Sequence, residues 1–420
     1  LAATARSLRR SKTHRSPAGL HRVRLALLIS SAAVLILHFG LRNRHEKLLE
    51  IPPSGLLGVR NNTVLLFRRQ QHRRTASLQA VDLSTGAERE LDRIALTPTL
   101  DVVPSMSGDR IVVAVTDDPQ RNVLGRRPTL SRVKLTFRRH LLSDHTTQEF
   151  EVDGEGPRSA ITVSGNYAFW LDARPPRLAM RRERGAPVEF FIPTSRLMAY
   201  SFQHRRVHVV AEGLHDRTSL SASDEGIFYF STMNRMGRGG DLYWVPNDTL
   251  IPKSLGPFEG QTLPLRMHGR LYWIENRTDY GMEQAGTVPN RVASLVMTAD
   301  GSGRDRHVLY RLEPIPGRIR YLLNLTQYKD RLYAHLADAT GIRSAVTTPP
   351  ASLISIDPAH PKEHREVFRL PRNTEPFGIF DNGSYYFVSV SVRENWFDWS
   401  MTGLFPVRTF FLCRYRLPEP

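Results

Sequence analysis

Cysteine is almost missing from this chain: Cys413 stands alone among 420 residues. A single thiol closes no internal disulfide, so the fold must hold by packing and hydrogen bonding. Cys413 sits in the apolar run Phe411-Leu412-Cys413 and reads as a small buried side chain rather than a reactive thiol. Catalytic signatures are missing too. There is no H-E-x-x-H, no G-x-S-x-G, no Walker loop and no G-x-G-x-x-G after a strand. His204 with His208, and His360 with His364, have ligand-like spacing but no third ligand, so no metal and no other cofactor is expected. Pairs such as Asp117-Asp118 read as turn residues. No Ser/Gly linker, low-complexity tract or second composition regime interrupts the later chain, so residues 54–420 read as one domain.

One pattern is abundant. A two-residue turn opens a run of aromatic and aliphatic residues: Asn61-Asn62 before Thr63–Phe67, Gly108-Asp109 before Arg110–Val115, Gly165-Asn166 before Tyr167–Leu171, and Glu225-Gly226 before Ile227–Phe230. It returns as His268-Gly269 before Arg270–Ile274, Lys329-Asp330 before Arg331–Ala334, and Asn382-Gly383 before Ser384–Val388. Asn, Asp and Gly tolerate the positive φ of tight hairpins, and the residues that follow suit a pleated, buried surface. After a variable loop each run is followed by a second marker: Ala76–Val81, Ser131–Leu135, Ser195–Tyr200, Asp241–Val245, Ala293–Met297, Ala351–Ile356 and Phe411–Tyr415. A turn and a further strand come next, as in Asp82-Leu83-Ser84-Thr85-Gly86 or Asp300-Gly301-Ser302-Gly303. The seven turn markers recur at intervals of 47, 57, 60, 43, 61 and 53 residues. A period near fifty with four strands per period predicts an all-β chain, a β-propeller of seven four-stranded blades. The last repeat stops after its third strand, near Leu417. Lys47–Ile51, within a tether of residues 42–53, is expected to supply the fourth and close the ring.

The first residues differ. Residues 1–24 carry seven Lys or Arg and no acid, which predicts a disordered basic tail. Leu25–Leu41 then runs seventeen residues without a formal charge. Its length and basic flank predict one N-terminal transmembrane helix, an uncleaved signal anchor, with the tail cytoplasmic and the propeller extracytoplasmic, in a periplasm or at a cell surface. Residues 1–47 hold ten Lys or Arg and one acid, so +9 of the net +17 belongs to the anchor region and +8 to the rest. The pI near 10.4 is therefore no nucleic-acid signature. Asn-x-Ser/Thr sequons begin at Asn61, Asn247, Asn276, Asn324 and Asn382.

Arg270-Leu271-Tyr272-Trp273, Leu242-Tyr243-Trp244 and Met297–Arg304 resemble the YWTD-like and TolB-like propeller families, the superfamily that holds the low-density-lipoprotein-receptor-like and WD40-like propellers. The full Tyr-Trp-Thr-Asp tetrad does not occur. Those families are mostly noncatalytic binders, so the resemblance implies a binding role.

In a four-stranded blade the loops joining strands two and three share a face with the connections between blades. Here those loops cover residues 68–75, 116–130, 172–193, 231–240, 275–291, 337–350 and 392–408, and together they carry a net charge of +8. Long loops on a rigid frame are where binding sits. Candidate binding residues are Arg73, Arg74, Arg126, Arg127, Arg181, Arg182, Arg235 and Arg238, with Trp396 and Trp399 in the last loop. Arginine holds carboxylate or sulfate through paired donors, and tryptophan stacks on sugars or anchors a protein. The expected function is a membrane-anchored binding or scaffolding module for a protein or an anionic glycan. The alternative is an extracytoplasmic glycosidase or lyase with its acids on separate blades.

Overall fold

The computed structural model describes residues 45–418, except 53–54, 71–73, 98–99, 108–109, 118–132, 142–146, 155–160, 184–185, 216–217, 233–239, 261, 280–290, 316–318, 340–349, 372–373 and 394–406. Contacts divide the chain into residues 1–46 and 47–420. Leu25–Leu41 and the basic tail lie outside the described residues. Among those described, no helix is long and apolar enough to cross a membrane.

Strand β1 is Glu46–Ile51. Blade 1 follows as β2 (Leu56–Arg60), β3 (Thr63–Gln70), β4 (Thr75–Asp82) and β5 (Glu88–Ala95). Blade 2 is β6 (Leu100–Ser107), β7 (Arg110–Asp117), β8 (Val133–Leu141) and β9 (Thr147–Gly154). Blade 3 is β10 (Thr162–Ser164), β11 (Tyr167–Glu183), β12 (Ala186–Ser201) and β13 (Arg206–His215). Blade 4 is β14 (Ser219–Ser223), β15 (Gly226–Thr232), β16 (Gly240–Pro246) and β17 (Lys253–Phe258). Blade 5 is β18 (Leu265–Met267), β19 (Arg270–Asp279), β20 (Arg291–Asp300) and β21 (His307–Leu312). Blade 6 is β22 (Ile319–Tyr328), β23 (Arg331–Ala339), β24 (Pro350–Ile356) and β25 (Arg365–Arg369). Blade 7 is β26 (Thr374–Asp381), β27 (Ser384–Arg393) and β28 (Val407–Arg416). Its fourth strand is β1, hydrogen-bonded to the outer edge of β28. This is a seven-bladed propeller whose ring is closed by the first strand on the last.

Each blade opens with a two-residue hairpin, and in all seven the residue before the turn pairs with the residue after it, as in Arg60↔Thr63 and Asp381↔Ser384. In three of the hairpins both turn residues take the left-handed conformation that the sequence promises: φ is 48° and 62° at Asn61 and Asn62, 49° and 73° at His268 and Gly269, and 44° and 72° at Asn382 and Gly383. Blade 4 differs from its expectation by one residue. Its turn is Asp224-Glu225, and Gly226 is the first residue of β15, opposite Pro246. A Cβ on Gly226 would lie 2.8 Å from the Trp244 ring and collide with the Val245 carbonyl, so this glycine serves a close approach rather than a turn.

Past their first residue the runs after the turns are apolar because both faces of each sheet are buried. In β3, Val64 and Leu66 pack with Tyr386, Val388, Leu412 and Ile51 of the last sheet. Leu65 and Phe67 pack the other way, with Val102, Ile111 and Val113 of blade 2. In β11, Ala168 and Trp170 face Val112, Ala114 and Phe137, while Phe169 and Leu171 face Ile227, Tyr229 and Val245. Seven such cores lie between successive blades, and each large side chain contributes roughly 1.5–3 kcal/mol by leaving water. Cys413 lies in the core between blades 6 and 7, where burial pushes its thiol pKa up to about 11.

The turns between third and fourth strands are held by aspartates. Asp82 Oδ1 accepts from Ser84 N at 2.8 Å, Ser84 Oγ at 2.5 Å and Thr85 N at 2.9 Å. Asp300 Oδ1 accepts from Ser302 N at 2.9 Å, Ser302 Oγ at 2.7 Å and Arg304 N at 2.8 Å. These donors favour the ionised form, lowering Asp82 to about 2 and holding Asp300 below the usual carboxylate range. The depressed values make the turns stabilising above the unfolded pKa of about 4. That contribution is lost as pH falls through the folded values. Acid unfolding of an Asp82→Ala, Asp300→Ala double variant, followed by circular dichroism, is expected to show a smaller loss of stability between pH 5 and pH 2, roughly the span of those carboxylate pKa values, than the parent chain shows. Equal losses would show that the turn carboxylates do not couple to folding.

Candidate functional site

The loops between second and third strands leave from a level where several charged side chains are already committed. Arg69 Nη2 donates to the Val102 carbonyl at 2.8 Å across the gap to blade 2, and Arg68 lies 3.9 Å from Glu88. Both were expected in a loop; β3 instead runs on to Gln70. Asp172 in β11 and Glu275 in β19 occupy the same register, five residues beyond the start of the second strand. Both are buried. Arg196 Nε and Nη2 each reach Asp172 Oδ2 at 2.8 Å. Glu275 takes Trp273 Nε1 on one oxygen and Arg277 Nη2 on the other, each at 3.0 Å. The oxygens that face these donors are already engaged within the blade. These two acids act as counter-ions that pin third-strand or indole side chains to the second strand.

Blade 3 departs from its expected form at this face. Residues 172–193 read as a loop, but the strands do not stop there: β11 and β12 are seventeen and sixteen residues long. β10 pairs with β11 only up to Phe169, and β13 pairs with β12 only up to Thr194. Past that level the Pro175-Pro176 pair interrupts the register between Arg174 and Arg177. Seven further pairs follow, from Arg177↔Ile192 to Glu183↔Ala186. Beyond the blade, then, a two-stranded ribbon continues for seven residues per strand, roughly 23 Å, with no further strand beside it among the described residues. Arg174 Nη2, at its root, lies 3.8 Å from Glu212 on β13.

The opposite face is occupied by links between neighbouring blades. Arg110 reaches the Gly165 carbonyl, and Ser164 Oγ donates to the Ser223 carbonyl at 2.6 Å. Arg266 pairs with Glu225 at 3.0 Å, and His268 with Asp330 at 2.9 Å. Gly383 N donates to Tyr328 Oη at 2.6 Å, and Asn62 N to Asp381 Oδ2 at 3.4 Å. A sequon amide is used as well, Asn247 Nδ2 donating to Ser164 Oγ and the Asp224 carbonyl; a second, Asn276 Nδ2, donates to the Leu322 carbonyl nearer the loop face, beside Glu275.

Of the residues singled out from sequence, Arg181 and Arg182 fall in the ribbon, opposite Val188 and Pro187. Arg74 is exposed at the tip of the β3–β4 hairpin with φ 48°. Arg73, Arg126, Arg127, Arg235, Arg238, Trp396 and Trp399 lie outside the described residues. One grouping was missed. Asp357, His360 and Glu363 meet in the turn after β24, with ligand-type atoms within 4.8 Å of one another. The spacing D-x-x-H-x-x-E was the available signal. Arg331 Nη1 already holds Asp357 Oδ2 at 3.2 Å, and Asp357 Oδ1 accepts from Ala359 N at 2.9 Å. A guanidinium at that distance opposes a dication, so the trio serves the turn.

Comparison with known proteins agrees with this architecture. No protein-family profile matches the chain, and no curated protein matches it in sequence. Solved structures do. An oligogalacturonate lyase in complex with manganese superposes with a TM-score of 0.50 at 11% identity, covering 90% of this chain and 98% of that one. The propeller is the shared object. An uncharacterized protein of Listeria monocytogenes reaches 0.47 at 10% identity, covering 82% and 89%. An acylaminoacyl peptidase of Pyrococcus horikoshii reaches 0.45 at 11% identity, covering 82% of this chain and 50% of that chain. At such identities the likeness is one of fold.

Proposed function

We propose that the chain is a noncatalytic binding or scaffolding propeller of the YWTD-like or TolB-like kind, anchored in a membrane by Leu25–Leu41 and displaying its ring on the extracytoplasmic side. Its partner is a protein or an anionic glycan. The observation that carries this reading is the β11–β12 ribbon, which leaves the blade and continues without a neighbouring strand among the described residues. An isolated hairpin is only marginally stable in water, so a chain that keeps one has a use for its surface. The buried acids Asp172 and Glu275 are each committed to an arginine within the blade, at 2.8 and 3.0 Å, which fits a structural role better than a catalytic one.

Photo-crosslinking of the full chain in its membrane tests the proposal. A photoreactive residue at Met180, in the ribbon, is expected to give a discrete adduct; one at Asn382, on the opposite face, is expected to give none. Glycans incubated with the chain are expected to be recovered intact by mass spectrometry. Shortened or unsaturated products would overturn the binding reading in favour of a carbohydrate-active enzyme. Absence of any Met180 adduct would remove the ribbon as the contact surface.

A further inference from the structure

We propose that the free edge of β11, from Arg177 to Glu183, takes up an extended acidic polypeptide segment by strand addition. The inference deepens the binding reading and rests on it. A ribbon of two strands has two outer edges, each a row of backbone donors and acceptors able to template a further strand. The two edges of this ribbon are not equivalent. Along β12, Pro187 and Pro193 bracket Val188–Ile192, and each removes a backbone N–H. Along β11 the prolines, Pro175 and Pro176, lie before the ribbon pairs begin, and Arg177-Leu178-Ala179-Met180-Arg181-Arg182-Glu183 contains none. Within the ribbon pairs an incoming strand therefore meets no proline along β11, whereas β12 places Pro187 there. Among the described residues no strand pairs with that side: the pairing of β10 with β11 ends at Phe169. Seven residues exceed the usual strand length of about five to six, enough for a specific register.

Charge selects the occupant. The β11 edge segment holds Arg177, Arg181 and Arg182 against Glu183. Opposite-charge pairs across adjacent strands stabilise a sheet and like-charge pairs destabilise it. An extended segment rich in Asp or Glu fits, and one rich in Lys does not. A second copy of this chain fits poorly. Antiparallel self-pairing centred on Met180 sets Arg177 opposite Glu183, but it also sets Arg181 diagonally beside Arg177 and Arg181 of the other copy.

The test uses the full chain in detergent micelles and a labelled ten-residue peptide of alternating Val and Glu. Controls are the Val–Lys peptide, polyglutamate, and the Val–Glu peptide N-methylated on alternate residues. Fluorescence anisotropy is expected to show binding of the Val–Glu peptide alone. Reversal of three charges (Arg177→Glu, Arg181→Glu, Arg182→Glu) is expected to weaken it by about tenfold or more. Hydrogen exchange is expected to slow at amides within 177–183 and to stay unchanged within 188–192. Equal binding of polyglutamate or of the N-methylated peptide, without protection of β11, would reduce the edge to a Coulombic surface and overturn strand addition. Protection of 177–183 without peptide, growing with protein concentration, would assign the edge to a second copy. If the peptide fails while the Met180 photo-adduct persists, strand addition falls and the binding reading stands; if both fail, both fall.

Discussion

Deleting residues 46–51 is expected to abolish cooperative unfolding of the propeller and to leave it aggregating. β1 is the fourth strand of blade 7, and without it the outer edge of β28 is bare over Val407–Arg416. That edge carries Phe410, Phe411 and Leu412 within four residues, the composition that recruits other chains. The deletion also takes Ile51 from the core it shares with Val59, Val64, Leu66, Tyr386, Val388 and Leu412, together with the partly buried Leu48 and Leu49. Ile51→Ala alone is expected to cost about 2–5 kcal/mol, read as a lowered denaturant midpoint. A synthetic peptide of residues 45–52 added during refolding of the deleted chain is expected to restore a monomer in size-exclusion chromatography. Unchanged thermal unfolding of the deletion would mean that the contact between first and last strands does not hold the ring.

Trp170→Ala is expected to be the most damaging single change between blades 2 and 3, at about 3–5 kcal/mol. Trp170 is fully buried, its ring 5.3 Å from Phe137 at an interplanar angle of 76°. Phe137 in turn meets Tyr200 at 5.4 Å and Phe202 at 6.4 Å, so one indole supports an aromatic group drawn from both blades. Among the described residues its Nε1 has no hydrogen-bond partner. Trp170→Phe therefore discards a buried donor along with some volume, and the two effects offset to about 1 kcal/mol. Urea titrations of the two variants should separate clearly. Near-equal losses would place the weight of the site on the indole nitrogen and not on its area.

The hairpins were legible because their chemistry is local. Asn61-Asn62, His268-Gly269 and Asn382-Gly383 adopt positive φ, and few residue pairs do so cheaply. Gly226 misled by one position: a glycine beside an acidic residue looks like a turn, and only its neighbours Trp244 and Val245 reveal a packing role. The ribbon was not legible because prolines signal loops. Pro175 and Pro176 do interrupt the register, but the pairing resumes beyond them, and Pro187 sits opposite Arg182 without breaking it, because a ribbon needs donors on only one side of each strand. Asp172 and Glu275 could not be read as counter-ions from their own surroundings in the chain. Asp172 meets Arg196 from the adjacent strand, and Glu275 sits among Trp273 and Arg277 on alternate positions of its own. Arg69 was illegible for the same reason: sequence supplies it as a loop arginine, while the strand register spends it on the Val102 carbonyl.

The closure of blade 7 also sets a clock on biosynthesis. β1 leaves the ribosome near the start of the chain, and its partner β28 begins at Val407. At about 5–20 residues per second, the interval between them lasts roughly 20–70 s. Throughout that time β1 has no strand to join, and the loop to be closed is almost the whole domain. Glu46, Lys47 and Glu50 alternate charge with Leu48, Leu49 and Ile51, which keeps a waiting strand hydrated. The last event in building the ring is thus the meeting of β1 with β28, and any stall in translation between β25 and β28 leaves the ring unsealed.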